Sequence, residues 1–105
     1  MNTTEKVLLG QRIRNALFAD PTVKQAVPEG SLSGTPVAIA DALLRYADAK
    51  IELADPNHSH DNAATVAKNA RLAILSLAKE GTGILEAADR IIVENLGRSF
   101  TSKAR

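Results

Sequence analysis

The chain has 105 residues, a net charge of +1, no cysteine, no tryptophan and only 3% aromatic residues. That length suits one domain with one core, and the composition obliges the core to be built from Ala, Leu, Ile and Val. The near-neutral balance supplies no overall field towards nucleic acid or an anionic membrane, and the lack of cysteine excludes disulfides and thiolate metal sites.

Asn2, with Glu5 three residues on, makes a capping-box arrangement in which Asn replaces the usual Ser or Thr. The first helix is expected from Thr3 to about Phe18, with Leu9, Ile13, Ala16 and Leu17 on its main face. Val7 and Phe18 fall nearly opposite, beside Gln11 and Arg14. Phe18 either folds back onto the core or offers a second contact surface. Asp20-Pro21 restarts the chain, with Asp20 as N-cap and Pro21 in the first turn, and a short helix to about Val27 follows. Residues 28–34 form a loop by their Pro, Gly and Ser content. Leu32 within it is expected to act as a hydrophobic plug, with a docking loop as the second reading.

The longest amphipathic stretch follows, from Thr35 to Asp55. Thr35 is the expected N-cap, Pro36 suits the first turn, and Asp55-Pro56 ends the helix because a residue preceding proline avoids the α region. Val37, Ala40, Leu44, Ala47, Ile51 and Ala54 form a heptad-like seam, with Ile39, Leu43, Tyr46 and Leu53 as a stripe beside it. Two adjacent apolar stripes require neighbours on two sides. Asp41, Arg45, Asp48 and Glu52 make the polar face.

Asp55, His58, His60 and Asp61 place two histidines and two carboxylates in one short segment. These are metal-ligand types, yet no His-x-x-x-His pair on a helix supports them, so a solvated turn with Ser59 or Asp61 as cap is the expected reading. A third long helix is expected over 62–80, burying Ala63, Val66, Ala67, Ala70, Ala73, Ile74, Leu77 and Ala78. Leu72 and Leu75 face away, flanked by Lys68 and Lys79, as a contact patch. Gly81 ends that helix, and the short turn at Thr82-Gly83 predicts an antiparallel hairpin with a fourth helix running to about Leu96. Ile84, Leu85, Ala88, Ile91, Ile92 and Leu96 form its buried face, with Asn95 inside it as an end cap or a buried register residue. Residues 98–105 carry Arg98, Lys103 and Arg105 with no acid, and read as a flexible basic tail.

No phosphate loop, dinucleotide fingerprint, zinc-protease motif or nucleophile elbow is present. No apolar run approaches the ~18–20 residues that cross a bilayer. The N-terminus lacks the basic and apolar regions of a secretory signal, so the expected location is the cytoplasm or a larger intracellular or viral assembly. The expected fold is all-α: four main helices in an antiparallel, bundle-like arrangement plus the short helix after Asp20. Residues 1–97 form the domain and 98–105 the tail. The expected function is a non-enzymatic protein-protein interaction or assembly module: a structural, adaptor or inhibitor subunit, homo-oligomeric or held in a larger complex. Phe18, Leu72, Leu75 and Phe100 are its candidate interface, and no catalytic residue, cofactor or metal is assigned. The alternative is a nucleic-acid binder using Arg12, Arg14, Lys24, Arg98, Lys103 and Arg105. A third class, a metal protein or enzyme, would use His58, His60 and Asp61.

Overall fold

The computed structural model describes residues 2–55, 61–78 and 82–103, without the side chains of 61 and 98–103. Among these residues there are five helices and no strand: α1 (Thr3–Ala19), α2 (Pro21–Ala26), α3 (Thr35–Ala54), α4 (Asp61–Leu77) and α5 (Ile84–Lys103). The all-α class and the short second helix are as expected.

The helix starts follow from their capping chemistry. Asn2 Oδ1 accepts from the Glu5 backbone N–H at 2.8 Å, and its Nδ2 donates to Glu5 Oε1 at 3.1 Å. The Glu carboxylate thus closes the box on the Asn side chain. Asp20 Oδ2 accepts from the N–H groups of Thr22 (2.9 Å) and Val23 (3.3 Å), two orphan donors at the α2 start. At the α3 start the expectation needs correction. Gly34, at φ 80°, occupies the N-cap position, no side chain caps the helix, and Thr35 lies in the first turn. The chain enters α3 through a left-handed residue, which glycine tolerates and threonine does not.

The core runs along α3. Its deepest large side chains are Ile39, Leu43 and Tyr46, with Ala42, Ala47, Ala49 and Ile51 buried around them. The stripe read as secondary is therefore the central one, while Val37 is exposed and Leu44 half-buried. Of the other seam, Ala47 and Ile51 are buried as well, so the two stripes share the core and the rest of the seam reaches the surface. α1 contributes Leu9, Ile13 and Leu17, and α5 contributes Ile84, Leu85, Ala88, Ile91 and Ile92. On α4, Ala63, Ala67, Ala70 and Ile74 are buried.

The tightest helix pair is α3 with α4. Small residues on the α4 face let the backbones approach closely. The first turns of α4 (Asn62, Ala63, Val66) lie beside the later turns of α3 (Arg45, Asp48, Ala49, Glu52), so the two closely packed helices run antiparallel. The expected hairpin of α4 with α5 does not form as such. α5 turns away through Gly83 (φ 72°) and packs mainly on α1, then on α3 and α2, touching α4 only slightly. The apolar face of α4 is already occupied by α3, so little remains for α5. A second correction concerns length: α5 runs through Gly97 to Lys103 instead of ending near Leu96. Gly97 does not take a positive φ, and glycine within a helix costs only about 1 kcal/mol relative to alanine, too little to end it. Asn95 is consequently not an end cap. It is buried inside α5, where its Nδ2 donates to the Ile91 carbonyl at 2.8 Å.

Polar ties fix the packing. Lys6 of α1 donates to both Glu52 carboxylate oxygens at 3.1 Å and lies 2.7 Å from Asp55 Oδ2. Asp55 is 0% exposed, and that ammonium offsets the cost of burying its charge. Tyr46, 3% exposed, donates its hydroxyl to Asp89 of α5, and Lys50 Nζ stands 5.4 Å from the ring centroid. Arg90 of α5 pairs with Asp20 Oδ1 at 2.9 Å.

Candidate interaction surface

Two surfaces combine exposed apolar groups with an unfilled or one-sided setting. The first is the outer face of α4. Leu72 and Leu75 are 54% and 55% exposed, and they lie three residues apart on one face of the helix. Lys68 is exposed one turn earlier and Arg71 beside them. Because α4 packs on α3 alone to any extent, this face has no covering element among the described residues.

The second is an open groove of about 660 Å³ bounded by the end of α1, α2, the loop 28–31 and the start of α3. Phe18, Val27, Val37 and Ala40 supply apolar wall, while Arg14 and Lys24 set two positive charges against Glu29. Phe18 is half-buried and packs against the core while also lining this groove, so its two readings describe two sides of one ring.

Leu32 overturns an expectation. It does not plug the core: it is 92% exposed. The turn before it directs the chain outward. Ser31 donates through both its N–H (3.2 Å) and its Oγ (2.6 Å) to the Pro28 carbonyl, and Gly30 (φ 84°) and Gly34 (φ 80°) bracket Leu32 with left-handed backbone. A signal was present: a single leucine between two serines and two glycines has too little apolar company to pull a loop inward.

A smaller hollow of about 380 Å³ lies between α3 and α4, lined in part by Arg45, Asp48, Glu52 and Asn62. Partial loss of hydration pushes the carboxyl of Asp48, which still reaches solvent, above its ordinary range; Arg14 opposes the shift and Glu52 adds to it. Among the described residues no group of three or more His, Asp or Glu is placed to hold a metal ion. His58 and His60 lie outside the described residues, as does the Asp61 side chain.

Of the remaining candidate residues, Arg12 and Arg14 are exposed but project roughly 160° apart around α1. They do not form one patch; Arg14 instead joins Lys24 at the groove. Arg98 and Lys103 fall on the helical backbone of α5, but their side chains, that of Phe100, and Arg105 lie outside the described residues. Among the described residues no helix is long and apolar enough to cross a membrane.

Fold and surface together define an all-α, bundle-like protein built on a central helix, with apolar residues left exposed on α4 and beside the α2–α3 loop. Comparison of the chain with protein-family models, curated proteins and solved structures finds no match.

Proposed function

We propose that this protein is a non-enzymatic interaction or assembly module that works by docking to another protein chain through the outer face of α4. The supporting observation is the pair Leu72 and Leu75, each more than half exposed on a helix that packs substantially on one neighbour. Two leucines on adjacent turns, with Lys68 and Arg71 beside them, have the make-up of an interface: apolar anchors with a charged rim. The wide apolar face of α3 does not add support, because α1, α4 and α5 cover most of it within the chain.

Sedimentation of the purified protein, alone and after incubation with cell extract, tests the proposal. Association is expected for the native chain, and Leu72→Glu with Leu75→Glu is expected to abolish it while leaving helicity unchanged. A monomer at high concentration that recovers no partner, or association indifferent to the double substitution, defeats the proposal. The nucleic-acid alternative rests on Arg14 and Lys24 sharing the groove. It requires binding to DNA or RNA that weakens steeply with salt.

A further inference from the structure

We infer that the occupant of the α4 face is an acidic amphipathic helix of another protein, and not a second copy of this chain. The inference rests on the reading of that face as a docking surface and adds the chemistry of what docks there. Ala64, Lys68, Arg71, Leu72 and Leu75 are all exposed. Their steps of three and four residues align them in one seam about 17 Å long. The seam faces away from the buried line of Ala63, Ala67, Ala70 and Ile74. A line of this spacing is what one helix presents to another, with Leu72 and Leu75 as the apolar anchors and Ala64 leaving room for a close approach.

Charge selects the partner. Among the described side chains of α4, Lys68 and Arg71 are the only charged ones, and both lie in this seam. Thr65, Asn69 and Ser76 beside it are uncharged. Neither cation forms an ion pair with a described carboxylate. Two copies docked through this seam would bring four cations into one contact with no acid among them, and like charges so placed repel. A helix with leucines flanked by Glu or Asp sets a carboxylate against each cation while its leucines pack on Leu72 and Leu75. An anionic bilayer is the poorer match. Two cations and two half-exposed leucines fall short of the combined apolar and polybasic signals that hold a helix at a membrane.

Fluorescence anisotropy of a labelled synthetic peptide, titrated with the full chain, supplies the test. The acidic peptide is an amphipathic helix with leucines at steps of three and four and glutamates on both flanks; its control carries lysine in place of each glutamate. The native chain is expected to bind the acidic peptide at least about 10-fold more tightly than the control, with an affinity that falls as salt rises. Lys68→Glu with Arg71→Glu, both at exposed positions, is expected to reverse that preference at unchanged helicity. Equal or absent binding of the two peptides, a charge reversal without effect, or tighter binding to phosphatidylcholine–phosphatidylserine vesicles than to the acidic peptide would each overturn the inference. Self-association of the native chain that is lost with Leu72→Glu and Leu75→Glu also overturns it, yet leaves the docking reading standing. Association of any kind that is indifferent to those two substitutions defeats both.

Discussion

The tie between Tyr46 and Asp89 joins α3 to α5, and removing its hydroxyl isolates one polar contribution to the fold. Tyr46→Phe keeps the buried ring and its packing, so no cavity term enters. What disappears is a hydrogen bond to a charged acceptor, of the kind that contributes about 1.5–3 kcal/mol. Asp89 is half-buried and regains water when the phenol leaves, which sets the expected loss near the lower figure, about 1.5 kcal/mol. For a domain of this size that lowers Tm by about 6 °C. Urea titration of Tyr46→Phe, Asp89→Ala and the double variant measures the coupling directly, expected at about 1 kcal/mol. Burial first, and then Asp89, raise the Tyr46 pKa above its usual value of 10.0, while Arg71 opposes them weakly. Above that pH the unfolded chain releases the phenol proton and the folded chain keeps it, so stability falls as pH climbs. The native protein should therefore lose more stability in alkali than Tyr46→Phe does. Zero coupling, or identical alkaline profiles, would refute the account of this contact.

Three further outcomes are expected. Leu43→Ala, at a fully buried position in the middle of α3, should cost about 2–5 kcal/mol in chemical denaturation. Lys6→Gln should lower Tm beyond Arg45→Gln: the first removes the ammonium that stands 2.7 Å from the buried Asp55 carboxylate, while the second breaks an exposed i,i+4 pair with Asp41. The Lys6 pKa is raised, by Asp55 first and Glu52 next against an opposing burial effect, so its contribution is present below 10.5 and lost as pH rises beyond it. Asp48→Asn should match or slightly exceed native stability at pH 7, by less than about 1 kcal/mol because Asp48 is exposed. Its carboxyl has a raised pKa in the fold, so the charged form is the disfavoured one; the difference should vanish below the ordinary value of 3.8.

Local chemistry was legible in the sequence where a residue acts on its near neighbours. The Asn2–Glu5 cap, the Asp20-Pro21 restart and the buried faces of α1, α4 and α5 all follow from spacing and side-chain type. Periodicity could not rank the two stripes of α3, because both are apolar and only the positions of the other helices decide which lies deeper. It could not foresee that α4 would exhaust its small-residue face on α3, which is why the pairing expected with α5 moved elsewhere. Asp55 read as a helix stop. Its burial against Lys6 depends on a partner 49 positions away in the chain, which no local pattern encodes. At the candidate surfaces, the exposure of Leu72 and Leu75 was legible from helical phase. The groove was not, being assembled from α1, α2, a loop and α3.

The packing of α1 on α5 has a consequence for how the molecule is made. Neighbours in sequence, α3 and α4, can zip together soon after both leave the ribosome, since short loops close quickly. Leu9, Ile13 and Leu17 can meet α3 earlier, but their main neighbour is a helix that begins at Ile84. At roughly 5–20 residues per second of translation, part of the α1 stripe remains wet for several seconds on every nascent copy. Holdase chaperones recognise such a stripe, and they would be expected to engage this chain at its N-terminal end and release it once α5 has emerged.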